Sequence, residues 1–244
     1  MYNYKIIIEY DGTNFVGWQR QKNGISVQQL IEDSIEKLLN KKTIIFGAGR
    51  TDAGVHAKGQ VASFELENFI ETDTIRDGLN HHLRPFPIAI LSTEKMNIDF
   101  NARFSAKYRW YEYRVVNRRP PLTLENNRAW CVHKSIDINK MVNQSKFFLG
   151  KNDLSSFRSI NCQSKSTIKT INSINIKKRE EEIHFIISAR SFLHSQVRIM
   201  VGTLVDIGLN KITKSIQEII LLKDRQYAGV TAPAHGLYLK KVDY

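Results

Sequence analysis

The β-branched and aromatic run at residues 4–10 (YKIIIEY) predicts a strand. A helical period follows: Val27, Leu30, Ile31, Ile35, Leu38 and Leu39 fall on one face, opened by Ser26 and Gln29 at capping-box spacing. Residues 43–46 predict a second strand running into a glycine-rich loop. A third strand is expected at 60–66, a helix at 74–83 and a fourth strand at 86–95. The element order is β-α-β-β-α-β.

A strand at residues 107–116 starts the same order again. Asp137 is placed to cap a helix carrying Ile138, Met141, Val142, Phe148 and Leu149 before Gly150. Strands at 168–178 and 182–189 are joined by the charged turn KKREEE. Val197, Met200, Val201, Leu204 and Val205 share one face of a helix that runs to Gly208. A short helix near 214–222 and a closing strand at 237–242 complete the order. The halves, divided near residues 100–104, repeat in elements and not in letters. The expectation is an α+β fold of two ferredoxin-like β-α-β-β-α-β halves, residues 1–103 and 104–244. Their strands would form an extended, mostly antiparallel sheet with helices on one face and a basic central cleft.

Composition narrows the class. At 244 residues, 42% hydrophobic and 25% charged, the chain is globular and not disordered. A formal net charge of +12 raises RNA, DNA and acidic membrane as partners. Cys131 and Cys162 cannot build a zinc quartet. The N-terminal MYNYKIIIEY lacks the pattern of a signal peptide, and no apolar run approaches the length of a membrane span. A cytoplasmic protein with reduced thiols is expected.

The segment GAGRTDAGVHA, residues 47–57, resembles a dinucleotide fingerprint only superficially. Asp52 stands where the third glycine belongs, and a carboxylate there would repel a pyrophosphate. No G-K-S or G-K-T string exists, which excludes a P-loop. The plainer reading makes Asp52 a turn former between glycines. Three features weigh against it. Arg50 lies two residues upstream, on the same side of an extended backbone. The loop joins two strands expected in the sheet interior, and Ala48, Ala53 and Gly54 leave room for a ligand. An arginine beside a carboxylate keeps it ionised, the state a nucleophile needs.

Residues 101–120, NARFSAKYRWYEYRVVNRRP, carry Arg103, Lys107, Arg109, Arg114, Arg118 and Arg119 against the single acid Glu112. Phe104, Tyr108, Trp110, Tyr111 and Tyr113 are interleaved with them. In a strand, Tyr111 and Tyr113 share a face with Arg109, and Tyr108 and Trp110 share one with Arg114. Either one aromatic face is core and the charges are solvated, or the strand binds RNA, with cations for phosphates and a ring for an unstacked base. One aromatic in the core and another in the cleft satisfies both. Arg198, between Val197 and Ile199 on an apolar helix, reads as a snorkelling residue or as the partner of a carboxylate, for which Asp52 is a candidate. His81 and His82 are adjacent and no H-E-x-x-H string occurs, so no metal site is expected. His56, His194 and His235 read as structural or phosphate-facing. A Ser-His-Asp triad is rejected for want of a G-x-S-x-G elbow.

GRTDAGVHA, residues 49–57, resembles the catalytic-loop signature of the A-type tRNA pseudouridine synthases. EYDGTNFVGWQRQ (9–21), FNARFSAKYRWYEY (100–113), NDLSSFR (152–158), FLHSQVRIMVG (192–202) and APAHGLYL (232–239) resemble the same family, in order, so the resemblance spans nearly the whole chain. Gln196 departs from it, standing where the family usually has Met before Val-Arg. That bears on local helix packing and leaves the arginine in place.

The resemblance implies isomerisation of uridine to pseudouridine at positions 38, 39 and 40 of the tRNA anticodon stem-loop. It implies a homodimer in which one tRNA touches both subunits, with no metal and no organic cofactor. It also implies Asp52 as the nucleophile and Tyr111 as the ring that stacks on the target base. Arg198 becomes the basic partner of the aspartate, and Arg50 the loop arginine that helps hold the displaced nucleotide. Two rivals remain: a module that grips RNA and changes nothing, and a modifying enzyme with another target uridine. A membrane-surface role is the weakest reading, because no basic amphipathic helix with an aromatic face appears.

Overall fold

Strand β1 (Tyr2–Tyr10) buries Tyr4, Ile6, Ile8 and Tyr10, every second residue, as a strand covered on one face must. In the computed structural model, which describes residues 1–244, β1 belongs to a unit made of Met1–Arg109 and Tyr238–Tyr244. Trp110–Leu237 forms the other unit. In the first unit, α1 (Val27–Leu39) opens at Ser26, whose hydroxyl accepts the Gln29 backbone N–H at 3.3 Å, and stops at Asn40 in the left-handed region. There follow β2 (Phe46–Gly47), β3 (His56–Leu66), α2 (Thr72–Leu83) and β4 (Ile88–Met96).

The strands run β4-β1-β3, with β2 against β3, and each of these pairings is antiparallel. That is the ferredoxin-like arrangement the element order implies. The two helices approach closely at Gly78, where a Cβ would come within 2.6 Å of Leu38.

The second unit holds β5 (Tyr108–Asn117), β6 (Trp130–Val132), α3 (Ile138–Ser145), β7 (Gly150–Asp153), β8 (Ile168–Arg179), β9 (Glu182–Ala189), α4 (Gln196–Gly208) and α5 (Ile216–Leu222). Its strand order is β5-β9-β8-β7. Helix α4 is its core: twelve of thirteen residues are buried, and Arg198 is the exception. The closing strand β10 (Leu237–Asp243) pairs in parallel with β3, Tyr238 opposite His56 and Leu239 opposite Ala57.

Several elements differ from expectation for local reasons. The strand expected at 43–46 contracts to Phe46–Gly47, since only Phe46 and Gly47 find ladder partners, in Ser63 and Ala62. It lies to the side of β3, so of the two strands that bound the glycine-rich loop only β3 is interior. Strands β6 and β7 are too short to show a period and form because β5 and β8 offer them an edge. Helix α3 ends at Ser145 and tightens into a 3-10 turn over Lys146–Phe148, which seats Phe148 edge-on to Phe157 at 4.8 Å.

Three tyrosines keep their phenols inside hydrogen bonds: Tyr10 with the Thr51 hydroxyl (2.7 Å), Tyr113 to the Pro233 carbonyl (2.8 Å) and Tyr244 to the Ala102 carbonyl (2.9 Å). Burial pushes all three above their ordinary pKa of 10.0, against the opposing pull of the Thr51 bond on Tyr10 and of nearby arginines on Tyr113 and Tyr244. The folded chain holds these protons more tightly than the unfolded chain. Their contribution to stability is therefore full below pH about 10 and declines as the pH rises above it. Thermal unfolding followed by circular dichroism should show a Tm that falls steeply above that point, with a shallower fall in Tyr113→Phe than in the wild type.

Candidate active site

Between β2 and β3 the glycine-rich loop is tied through its backbone almost residue by residue. Gly47 lies on the Trp18 indole, where a Cβ would stand 2.5 Å from Nε1. Ala48 donates its N–H to the Val61 carbonyl (2.7 Å), and its own carbonyl accepts from Arg109 Nη2 (2.7 Å) and Nε (3.1 Å). The Gly49 carbonyl accepts from Nε2 of the buried Gln60 (2.8 Å). Thr51 takes the Trp18 N–H on its carbonyl (3.1 Å) and shares its hydroxyl with Tyr10. The Asp52 carbonyl accepts the Val55 N–H (3.2 Å), which closes a turn with Gly54 at φ 76. Asp52 is thus a turn residue, as the plainer reading has it, but the turn is made by its main chain.

A second segment, residues 11–18, lies against this loop, and glycine makes the approach possible. A Cβ on Gly12 would stand 1.9 Å from the Val55 carbonyl oxygen. One on Gly17, which has φ 110, would stand 2.5 Å from that of Thr51. Phe15 accepts the Gly54 N–H at 3.3 Å. The Gly12 N–H donates to His56 Nδ1 (3.0 Å), while Asp11 Oδ1 lies 3.1 Å from the same nitrogen. One nitrogen cannot accept the first contact and donate to the second. Either contact ties the ring to the segment that leaves β1. His56 also stacks on Tyr238 at 4.7 Å, so it serves the structure of the loop's end.

On this frame Arg50 is exposed and Asp52 half-buried. Tyr111 and Arg198 are carried by the second unit. Tyr111 is 8% exposed and meets Phe192 edge-on at 5.2 Å, whereas Tyr113 is wholly buried. Arg198 Nε donates to the Ala232 carbonyl (2.8 Å), and the Ala232 N–H returns a bond to the Arg198 carbonyl (3.2 Å). Ala232–Gly236 is also pinned by Tyr113, which bonds Pro233 and whose ring would be 2.6 Å from a Cβ on Gly236. Gln196 is buried. Its Oε1 accepts the Leu193 N–H (2.7 Å), just ahead of a helix start whose N-cap, Ser195, makes no side-chain capping bond. The departure from Met therefore ties the first residue of α4 to the segment that enters it.

The basic residues of 101–120 divide by environment. Arg103, Lys107 and Arg119 are exposed. Arg114 hydrogen-bonds Glu182 (3.0 Å) and lies 2.7 Å from Glu125 in an ion pair outside hydrogen-bond angles, and Arg118 pairs with Glu181 (3.2 Å). Arg109 is 8% exposed and donates to the carbonyls of Ala48, Ala106 and Arg103. The sequence grouped it with the cations of an RNA-binding strand. Its place on the face of Tyr111 and Tyr113 was the signal that it points inward.

Sequence reasoning also missed Gly12, Gly17 and Trp18 as the loop's support, although the glycine spacing of DGTNFVG was visible. Chemically, the arrangement holds one carboxylate and one arginine on a loop with little freedom to move, which suits covalent or acid–base work on a ligand with anionic groups. No group of three or more His, Cys, Asp or Glu side chains is placed to hold a metal ion.

Comparison with known proteins finds relatives that match along nearly the whole chain. A family model described as tRNA pseudouridine synthase matches residues 6–105 and 145–244. A protein of Ehrlichia chaffeensis named tRNA pseudouridine synthase A is 50% identical over 243 residues, 99% of each chain. Its namesake in Parvibaculum lavamentivorans is 49% identical over 245 residues, 100% of each chain. That of Wolbachia pipientis wMel is 49% identical over 243 residues, 99% of each.

The loop's frame is open to test by denaturation. Gly17→Ala forces a Cβ against the Thr51 carbonyl in a left-handed backbone, and Arg109→Met leaves buried carbonyls without donors. Each is expected to lower the unfolding free energy by about 2–4 kcal/mol in urea titrations.

Proposed function

Because the chain belongs to the tRNA pseudouridine synthase A family, we propose that it isomerises uridine to pseudouridine at positions 38, 39 and 40 of the tRNA anticodon stem-loop, with Asp52 as nucleophile toward a flipped-out base. The observation that carries the reading is the loop GRTDAGVHA, in which the flanking residues are held by their main chains around Asp52.

The reaction breaks the N1–C1′ bond, turns the uracil and joins C5 to C1′. C5 gives up a proton and N1 takes one up, so nothing is oxidised and no water is consumed. A carboxylate that adds covalently to sugar or base holds one fragment while the other rotates. The uridine must leave its stack first, at a cost of a few kcal/mol, and stacking on an aromatic ring returns about 1–3 kcal/mol. Tyr111 is the ring assigned to that base, and Phe192 sets its orientation. Arg50, exposed beside the turn, holds the displaced nucleotide, and Arg198 is the basic partner of the aspartate.

In this reading the catalytic loop belongs to the half 1–103, and the stacking strand and the Arg198 helix to 104–244. The enzyme works in the cytoplasm as a homodimer, without metal or organic cofactor. No helix is long and apolar enough to cross a membrane.

The test is tritium release from tRNA transcripts labelled at uridine C5. The wild type should release tritium and Asp52→Asn none, a loss of at least about a thousandfold. Binding of tRNA by the variant should change less than about threefold. Equal loss of binding and turnover would remove the nucleophile assignment. Tight binding with no release by the wild type would leave the RNA-binding module as the reading. Mapping the modified nucleotides by sequencing separates positions 38–40 from another target uridine.

A further inference from the structure

Phe104 is 75% exposed, among the more exposed large apolar side chains of the protein. A single exposed phenyl on a surface needs no explanation; the frame around this one does. Residues 101–105 form a turn bound at several points. The Asn101 side chain accepts the N–H groups of Arg103 (2.9 Å) and Phe104 (3.2 Å), and the Ser105 N–H bonds the Asn101 carbonyl (2.9 Å). The Ala102 N–H donates to the Ser63 hydroxyl (3.0 Å), and the Ala102 carbonyl accepts from the Tyr244 phenol (2.9 Å). The Arg103 carbonyl is capped by the buried Arg109 guanidinium. The backbone under the ring is thus anchored to β3, to the chain's last residue and to a buried cation, while the ring itself stands in solvent.

Arg103 completes the arrangement. It is exposed, and its guanidinium lies 5.4 Å from the Phe104 ring centroid. Exposed Lys107 follows three residues after Phe104, and Tyr108, 38% exposed, comes next. A ring with a cation on it and another exposed cation three residues along the chain matches one kind of ligand, a flat aromatic group joined to phosphates. Protein partners would ask for more contiguous apolar surface than one phenyl provides.

We infer that Phe104 and Arg103 form a stacking platform for an unpaired nucleobase of the tRNA, separate from the base assigned to Tyr111. The base lies on the phenyl, and Arg103 and Lys107 meet the flanking phosphates. Because the turn is already ordered, little conformational freedom is lost on binding. The inference rests on tRNA as the substrate and not on the catalytic assignment of Asp52.

The test compares wild type, Phe104→Ala, Phe104→Trp and Arg103→Gln with an unmodified tRNA transcript. Phe104→Ala should bind about five- to a hundredfold more weakly with an unchanged salt slope, and Arg103→Gln should lose about one unit of slope. Phe104→Trp should bind like the wild type, and its added fluorescence, taken as the difference from wild type, should be quenched by tRNA and not by a fully paired RNA duplex. Unchanged affinity in Phe104→Ala, or an indole indifferent to tRNA, would overturn the platform. So would a change of molecular mass by light scattering in Phe104→Ala, which would place the ring between copies of the chain. Tritium release by the wild type in parallel reports the proposed function separately, so either idea can fail while the other stands.

Discussion

The close passage of two backbones, residues 11–18 against residues 47–56, is the constraint on which the first unit's candidate site depends. It follows from the sheet. Strands β1 and β3 are antiparallel neighbours whose ladder ends at Tyr10 opposite Ala57. The segment leaving β1 and the loop entering β3 therefore emerge side by side. With carbonyl oxygens 1.9 and 2.5 Å from where Cβ atoms would be, only glycine at positions 12 and 17 lets them lie in contact. That contact sets the direction of the chain at Thr51 and Val55, and hence the place of Asp52 between them.

Two arginines do comparable work in the two units. Arg109 is buried and donates to main-chain carbonyls, so the dipoles of Ala48, Ala106 and Arg103 help offset its desolvation and are fixed by it in turn. Arg198 occupies the one position of α4 that is not buried and exchanges bonds with Ala232. In each case the guanidinium fixes a stretch carrying a family motif, the glycine-rich loop in one and the APAHG segment in the other. Lysine, a point charge without a planar fork, would hold fewer of these carbonyls at once.

The proposed isomerisation asks for the same quality. Bonds are exchanged within one nucleoside, and a fragment must be held while it turns, so an ordered site serves better than a mobile one. Backbone anchoring around Asp52 and edge-on packing of Tyr111 by Phe192 both supply order before any ligand arrives. The Phe104 turn, anchored in the same manner, extends that logic to the surface.

The repeated element order was legible in the sequence, because helix period, the Ser26 and Asp137 caps and the β-branched runs act within a few residues. The loop that carries Arg50 and Asp52 was legible as a turn for the same reason. The short strands β6 and β7 were not, since their hydrogen bonds come from β5 and β8 and leave no period of their own. Nor was the parallel seat of Tyr238 beside His56, which joins residues far apart in the chain. Arg109 shows the division in one residue. Its position on the inward face of β5 could be read from alternation along the strand. Only the tertiary structure decided that the Ala48 carbonyl would be there to receive it, because a buried cation takes its meaning from the groups that surround it.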